Sequence, residues 1–325
     1  MRASKLHSAL AMAIDDFLAH KRTFGRAYTT EEYILKALRR FVVGQKADDL
    51  SASLFELWCK QQRRLSPNTL RARQFIVRKF CQYRRRNDPQ CFVPDPFFAQ
   101  RRPFVVPVLI TEPQIARMLS VASALSAPPC SPLRPAVLRM ATVLLYTAGL
   151  RRGELVRLRL GDVDARAGVL RICESKFHHS RLVPLSVDAR RELRHYLRRR
   201  LVKPHDLRPD APLLCNAHGG FCQGYTGAGL GQAIEALFER ADVQDHEGRR
   251  PRVHDARHSF AMQALLRFYR RGEDVQTQLP KLALYMGHVN IVSTAYYLRF
   301  IPEVATLASQ RFGRSFSHII DPGAT

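Results

Sequence analysis

The stretch Thr147-Ala-Gly-Leu-Arg-Arg-Gly-Glu-Leu155 joins two predicted helices. An apolar segment, residues 136 to 147, leads into it, and Gly149 permits the backbone conformation that ends a helix. Arg151 is therefore predicted to lie at an element junction, where its side chain can point into a cleft. A planar guanidinium binds two phosphate oxygens at once, which an ammonium does not. Taken alone, the stretch favours the simpler interpretation that Arg151 and Arg152 are two surface arginines.

Later stretches of the chain supply further side chains suited to clamping and attacking a phosphodiester. His254 and Arg257 lie in His-Asp-Ala-Arg-His, which is predicted to begin a helix, and positions i and i+3 share one helical face. His288 follows in Met-Gly-His, at a predicted helix end, and Tyr297 lies in Ser-Thr-Ala-Tyr-Tyr. Each stretch is weak evidence alone, because an isolated tyrosine is usually a core or interface residue.

Two alternatives arise from these stretches. His254 and His258, at i and i+4, could hold zinc, but the H-E-x-x-H pattern and an obvious third ligand are absent, so no metal is expected. Tyr296 and Tyr297 are adjacent and project about 100° apart on a helix. Only one of these two tyrosines can therefore face a cleft.

A change of periodicity near residues 168 to 185 predicts a β-hairpin. Two short apolar segments, beginning at Val169 and Leu182, enclose a polar and basic tip that contains Lys176. The chain after the hairpin shows helical periodicity to about residue 310. The sequence therefore predicts a mainly α fold with a small β-hairpin or sheet, which makes its C-terminal part an α+β domain.

The charge of the chain points to a polyanionic partner. Its 325 residues carry 52 Lys plus Arg against 28 Asp plus Glu, a net charge of +24. Such a charge repels itself in the compact state, and a polyanion relieves the repulsion on binding. Nucleic acid is the favoured partner, and an anionic membrane is the lesser alternative. The remaining alternative, a merely basic soluble protein, is disfavoured by the pI of about 10.5.

Cysteine usage and hydropathy indicate the cellular compartment of the protein. The seven cysteines form no C-x-x-C pair, which argues against a disulfide framework and a zinc ribbon and favours reduced thiols. No run of about 18 apolar residues occurs. The sequence therefore predicts a cytoplasmic protein that neither spans a membrane nor is secreted.

Residues 1 to about 100 show helical patterns. Thr29-x-x-Glu32 is a capping-box signature, and Ser66-Pro67 is an N-cap followed by proline at the first helical position. The segment after Pro67 interleaves cationic with apolar residues. In isolation its cationic face is typical of a solvated helix, whereas in a chain of this charge a phosphate-facing helix is favoured. The cationic residues in question are Arg71, Arg73, Arg78 and Lys79.

Prolines between residues 88 and 108 break the helical pattern and indicate a linker between domains. The predicted division is a helical domain over 1–100, a linker over 101–110 and a second domain over 111–325. Within the second domain, Thr111-Glu-Pro-Gln114 is another capping box.

The order Arg, Lys, His-x-x-Arg, Gly-His, Tyr resembles that of the tyrosine recombinase (phage integrase) family. The family motif Thr-Gly-Leu-Arg-x-x-Glu-Leu is similar to residues 148–155, with Ala148 in place of threonine. The family's hairpin strand with Pro-Leu is similar to residues 181–185, and counting back from Pro184 places the family lysine on Lys176. The His-x-Leu-Arg-His box is similar to residues 254–258, with alanine in place of leucine.

The resemblance implies the roles of the residues. The N-terminal helices would be a core-binding (SAM-like) DNA-binding domain, and the rest an integrase-type catalytic domain. The implied reaction is site-specific cutting and rejoining of duplex DNA through a 3′-phosphotyrosine, without metal, ATP or other cofactor. The implied catalytic residues are Tyr297, nine positions after the Gly-His histidine, with Arg151, Lys176, His254, Arg257 and His288.

The resemblance also implies a homo-tetramer on DNA formed from free monomers, with partner recombinases or accessory factors left open. A terminal helix within residues 303 to 325 would dock on the neighbouring protomer. Rival readings are a non-catalytic architectural DNA-binding protein, a type IB topoisomerase and a metal-dependent nuclease. The absence of a recognisable paired-carboxylate motif counts against the nuclease.

Overall fold

The computed structural model describes residues 2–25, 27–95, 106–173, 180–202, 205–218, 221–288 and 290–295. The chain divides into two compact units, an N-terminal unit, Met1–Val105, and a C-terminal unit, Val106–Thr325. This division falls within residues 101–110, where the sequence predicts a linker. Within the described residues, no helix has the length and apolar character needed to cross a membrane.

The described part of the N-terminal unit is helical. Its helices are α1 (Arg2–Arg22), α2 (Thr29–Gly44), α3 (Ala52–Gln61) and α4 (Pro67–Arg84). Apolar residues at helical spacing pack into one core, in which Phe17, Leu38 and Phe80 are at most 1% exposed. Ser66 caps α4 as the sequence predicts, because its hydroxyl accepts from the Thr69 N–H at 3.3 Å.

The capping box predicted at Thr29 is wrong. Tyr28 precedes α2 in a left-handed conformation, with φ 51°, and no side chain caps the helix. Glu32 lies within the first turns of α2, where its carboxylate pairs with Lys36 at 2.5 Å and with Arg22. The i,i+4 ion pair therefore takes the carboxylate that a capping box would need.

The C-terminal unit contains the remaining described helices. They are α5 (Glu112–Ala124), α6 (Arg134–Thr147), α7 (Arg152–Arg157), α8 (Val187–Arg200), α9 (Gly227–Arg240), α10 (Val253–Arg270), α11 (Val275–Met286) and α12 (Val292–Ala295), with a 3-10 turn at Leu160–Asp162. The predicted cap of α5 is present, since Thr111 N–H donates to Gln114 Oε1 at 2.8 Å.

The predicted hairpin is part of an antiparallel sheet. Its strands are β1 (Val163–Asp164), β2 (Val169–Ile172) and β3 (Arg181–Pro184), in the order β1-β2-β3. A second hairpin, β4 (Cys215–His218) and β5 (Phe221–Gly224), was not predicted, because the chain after residue 185 was expected to be helical throughout. The Gly219-Gly220 pair in the sequence is a turn signal that marks it.

Helix α6 forms the centre of the C-terminal unit. It is mostly apolar apart from Arg134 and Arg139, with Val137, Ala141 and Leu144 fully buried, and it packs against α5, α8 and α10. A helix so enclosed has little freedom to move. Its C-terminal end therefore holds the following junction, residues 148–151, in a fixed place.

Candidate active site

A glycine fixes the junction between α6 and α7. Gly149 has φ +59°, in the left-handed region that residues with a Cβ rarely adopt. A Cβ on Gly149 would also lie 2.4 Å from Cδ1 of Phe260 on α10. Arg151 begins α7, and its backbone N–H donates to Glu154 Oε2 at 3.0 Å. Arg151 thus lies at the element junction that the sequence predicts.

The two adjacent arginines of this stretch point in different directions and contact different elements. The Arg151 side chain, 24% exposed, donates from Nη1 to Glu154 Oε1 at 2.7 Å and from Nη2 to the Gly287 carbonyl at 2.8 Å. Arg152 is exposed and packs against α9, where a Cβ on Gly231 would lie 2.5 Å from its Nη1. The surface interpretation therefore fits Arg152, and Arg151 is directed inward.

Arg257 is buried on the first turns of α10. Only 1% of its side chain is exposed. Its Nη1 donates to the Gly149 carbonyl and its Nη2 to the Met286 carbonyl, both at 2.5 Å. This one guanidinium therefore connects the end of α6, the start of α10 and the end of α11.

Sequence reasoning missed a carboxylate and an arginine at this site. Glu154, 1% exposed, accepts from Arg181 at 3.0 and 2.9 Å in a two-point ion pair. Although desolvation by burial acts to raise the pKa of Glu154, hydrogen bonds from Arg181 and Arg151 lower this pKa to about 2. The carboxylate is thus ionised at neutral pH and offsets the charge of the surrounding arginines. The signals in the sequence were that Glu154 lies in the motif of residues 148–155, three residues after Arg151, and that Arg181 begins the hairpin match of residues 181–185.

The histidines of α10 lie on one side of the helix, with the rings of His254 and His258 edge to face and their centroids 4.6 Å apart. His254 is solvent-exposed. Partial desolvation, followed by the positive charge of Arg257, lowers the pKa of His254 below its ordinary value. Desolvation and the neighbouring His254 lower the pKa of His258 to about 4. His254 is therefore a neutral base that solvent or a substrate can reach.

His288 follows the left-handed turn that ends α11. Gly287 has φ +67°, and the His288 Nδ1 lies 2.7 Å from the Thr294 hydroxyl. Desolvation, followed by the positive charges of Arg257 and Arg151, lowers the pKa of His288 to about 3. Either partner of this bond can donate, depending on the tautomer of the ring. In the tautomer in which Nδ1 accepts from the threonine, the neutral ring carries its proton on Nε2 and can donate it.

The structure thus brings together Arg151, His254, Arg257 and His288 of the six predicted catalytic residues. Lys176 and Tyr297 lie outside the described residues, as do Tyr296 and the terminal segment 303–325. Among the residues that are described, no three His, Cys, Asp or Glu side chains form a group able to hold a metal ion.

The four cationic residues predicted to face DNA lie on α4. Arg73 is engaged within the unit, where it donates to Gln62 Oε1 at 2.6 Å, and Arg78 donates to the Pro94 carbonyl. Arg71 is half-buried, and Lys79 is exposed with its ammonium 4.4 Å from the Phe75 ring centroid. DNA contact by these residues stays a prediction, with Lys79 the most accessible of the set.

Comparison with known proteins agrees with this geometry. The phage integrase family profile matches residues 109–302, more than half of the chain. The "Putative integrase/recombinase y4rB" of Sinorhizobium fredii is 31% identical over 94% of this chain and 98% of its own length. Tyrosine recombinase XerD of Ralstonia nicotianae is 31% identical over 53% of this chain and 51% of its own length.

Solved structures share the fold. A Tn1549 transposon integrase in complex with transposon right end DNA superposes with a TM-score of 0.65 at 16% identity, covering 94% of this chain and 98% of that one. A lambda integrase dimer bound to a core site gives 0.60 at 14% identity, covering 88% and 94%. Fold and site together define a tyrosine-type site-specific recombinase. The chain belongs to the phage integrase family.

Proposed function

We propose that this protein cuts and rejoins duplex DNA through a 3′-phosphotyrosine intermediate on Tyr297, with no need of metal or ATP. The observation that carries the proposal is the convergence of Arg151 and Arg257 on adjacent carbonyls at the end of α11, directly before His288. Two guanidinium groups and an imidazole at one point suit the oxygens of a phosphodiester. The net charge of +24 supports duplex DNA as the partner.

In the proposed reaction the Tyr297 oxygen attacks a backbone phosphorus. The new bond joins the tyrosine oxygen to phosphorus, and the bond from phosphorus to the 5′-oxygen breaks. The phenol proton passes to a base, and the leaving 5′-oxygen takes a proton from an acid. The phosphotyrosine retains the bond energy, so a 5′-hydroxyl from another strand can reverse the step and complete a strand exchange.

The arginines would stabilise the charge that builds on the non-bridging oxygens. In the structure, Arg151 and Arg257 donate to the carbonyls of Gly287, Met286 and Gly149. A charged phosphate attracts a guanidinium more strongly than a neutral carbonyl does, and arginine can bind it through two parallel N–H···O bonds. A scissile phosphate would therefore draw the partly exposed Arg151 from the Gly287 carbonyl. The buried Arg257 would bind the phosphate with its carbonyl bonds kept, since each Nη nitrogen carries two N–H groups.

The remaining residues would move or hold protons. His254 is neutral and accessible, so it would accept the Tyr297 proton or hold the phenol in position. Lys176 would protonate the leaving 5′-oxygen, as the family resemblance implies. His288 would donate its Nε2 proton to a phosphate oxygen, since the Thr294 hydroxyl lies at its Nδ1.

The domain and assembly assignments belong to the same proposal. The N-terminal helices would bind DNA as a core-binding domain over residues 1–100, joined by a linker over 101–110 to a catalytic domain over 111–325. Four protomers would then act on two duplexes. The solved lambda integrase dimer on a core site and the Tn1549 integrase with transposon DNA support this assignment through their shared fold.

The test begins with DNA trapped on the protein in cells. Protein purified under denaturing conditions would be digested to leave covalently attached DNA, which is then sequenced. A nicked duplex built on the recovered sequence would next be incubated with wild type, Tyr297→Phe and Tyr296→Phe, each with EDTA. We expect covalent adducts with wild type and Tyr296→Phe, and DNA binding without an adduct for Tyr297→Phe.

Other outcomes identify the rivals. Binding with steep salt dependence and every strand intact would mean an architectural protein. Cleavage that EDTA abolishes would mean a nuclease, and supercoil relaxation without exchange would mean a topoisomerase. Loss of the adduct in Tyr296→Phe alone would show that the nucleophile is Tyr296 and not Tyr297.

A further inference from the structure

Three consecutive carbonyl groups at the end of α11 each accept from a different arginine. The pairs are Tyr285 with Arg181 at 2.8 Å, Met286 with Arg257 at 2.5 Å and Gly287 with Arg151 at 2.8 Å. The last carbonyls of a helix have no partners within it and form the negative end of its dipole. Three cations at this end are therefore well placed to fix it.

One buried carboxylate faces all three cations. Glu154 lies 2.7 Å from Arg151, 2.9 Å from Arg181 and 4.0 Å from Arg257. The side chains of Arg181 and Arg257 are 8% and 1% exposed, so water screens their charges little. The position of Glu154 consequently influences the position of every guanidinium in the cluster.

Arg181 differs from the other two arginines in what it binds. Its Nη1 and Nη2 donate to the two Glu154 oxygens, and its Nε donates to the Tyr285 carbonyl. When Arg151 turns to a phosphate, it gives up bonds to Glu154 and Gly287. The bonds of Arg181 do not compete with phosphate and hold the carboxylate and the helix end through that change.

The Arg181 side chain also lies against the turn that precedes His288. A Cβ on Gly287 would lie 2.7 Å from Arg181 Nη1 and 3.0 Å from its Cζ. The guanidinium is thus in close contact with the turn backbone. Displacing it would remove one of the contacts that position the segment from which His288 extends.

We propose that Arg181 is a positioning residue for the phosphate site, acting through Glu154 and the end of α11 on Arg151 and His288. The inference rests on the proposed function, because it assumes that the site binds a scissile phosphate. Arg181 itself would touch neither the phosphate nor Tyr297. Its removal would leave the reactive groups present but misplaced.

The test compares Arg181→Gln and Arg181→Lys with a matched control. Arg139 makes a two-point ion pair with Glu192 at 2.9 and 2.8 Å in the same unit, so Arg139→Gln removes a pair of the same residue types and geometry, though a more exposed one, away from the site. Each full-length protein would cleave two nicked duplexes of the trapped sequence. One carries the ordinary scissile phosphate, and the other a methylphosphonate, which lacks the negative charge. The measured quantity is the single-turnover rate of strand release.

We expect Arg181→Gln to cleave the ordinary phosphate roughly 100-fold more slowly than wild type, since a misplacement of 1 Å costs about that much. On the methylphosphonate its defect should shrink to less than about 10-fold, because less charge then needs stabilisation by Arg151. Arg181→Lys, which keeps the charge without the planar fork, should be intermediate. Arg139→Gln should cleave within about twofold of wild type, as expected for a partly exposed pair.

Equal defects of Arg181→Gln on the two substrates would overturn the proposal, since a merely structural role lowers both rates alike. Wild-type cleavage by Arg181→Gln would also overturn it and leave the proposed function standing. Failure of the wild-type protein to release any strand would instead refute the proposed function. Arg181→Lys keeps the test decisive if Arg181→Gln does not fold.

Discussion

The guanidinium of Arg257 donates to the carbonyl oxygen of Gly149 at 2.5 Å and joins two residues 108 positions apart in the chain. The bond ties the first turns of α10 to the junction that presents Arg151. The same side chain donates to the Met286 carbonyl at the end of α11. One buried residue therefore holds three separate elements together. These bonds require that the backbone at Gly149 and at Met286 keeps its position.

Gly149→Ala should destabilise the C-terminal unit. Alanine at φ +59° costs about 1–2 kcal/mol, and its Cβ would lie 2.4 Å from the Phe260 ring, which adds an overpacking cost of roughly 1–3 kcal/mol. Thermal and urea unfolding would measure the loss in free energy of unfolding. The double variant Gly149→Ala/Phe260→Leu should recover part of it, because the smaller side chain relieves the contact but not the backbone strain.

The control for this prediction is Gly44→Ala. Gly44 ends α2, and a Cβ there meets no atom within 4 Å. Its substitution should leave stability unchanged or raise it slightly, by at most about 1 kcal/mol. Equal losses from Gly149→Ala and Gly44→Ala would show that the junction does not require glycine.

Glu154→Gln should destabilise the protein at neutral pH by about 3–5 kcal/mol, the usual cost of breaking a buried ion pair by removing one partner. The remaining amide cannot offset the charge of Arg151 and Arg181. Urea unfolding at pH 7 measures the change. Glu192→Gln is the control, because its pair with Arg139 is 28–29% exposed and should be worth less than about 1 kcal/mol.

The same carboxylate should produce an acid transition. The pKa of Glu154 is lowered to about 2 from 4.5, so its contribution is fully present above pH 4.5 and is lost as pH falls towards 2. Wild type should lose up to about 1.4 kcal/mol per pH unit in this window through Glu154. Glu154→Gln should lack that part of the slope, and an unchanged slope would show that Glu154 is not responsible.

The sequence predicts the parts of this site that depend on local chemistry. Gly149 marks a helix end whatever it packs against, and His254 and Arg257 share a face because helical geometry is local. The pairing of Arg181 with Glu154 cannot be predicted from local sequence, because it joins residues 27 positions apart. Many arginines in this chain could have formed the two-point pair with Glu154, and only tertiary packing selects Arg181 for it.

The second hairpin shows the same limit in secondary structure. Strands β4 and β5 have four residues each, as β2 and β3 do, so the difference between the two hairpins lies in composition and not in length. The β2–β3 hairpin was predicted because both of its strands are rich in branched apolar residues. Cys215-Asn-Ala-His has no such run, so its strand conformation depends on pairing with β5.

His288 should make the folded protein less stable in mild acid. Its pKa is lowered to about 3 from 6.5, so between these values the unfolded chain binds a proton that the folded chain does not. Stability from this group is therefore lost as pH falls below 6.5, by about 1.4 kcal/mol per pH unit. His288→Asn should reduce the slope of unfolding free energy between pH 6 and 4 by that amount. His246→Gln, at a ring 86% exposed, should follow the wild-type curve.

The Thr294 hydroxyl should fix the protonation of His288 and thereby assist cleavage. Thr294 is fully buried, and its Oγ1 lies 2.7 Å from His288 Nδ1. Thr294→Val keeps the shape but removes the hydroxyl, so strand cleavage should fall about 10-fold, the lower end of what loss of a partner costs at metal-binding histidines. Thr294→Ser keeps the hydroxyl and should cleave nearly as wild type.

Nitrogen NMR would measure which ring nitrogen of His288 carries the proton. In wild type the proton should be on Nε2, whereas in Thr294→Val it should exchange between the two nitrogens. A valine variant that cleaves at the wild-type rate would show that the catalytic step does not depend on which nitrogen carries the proton.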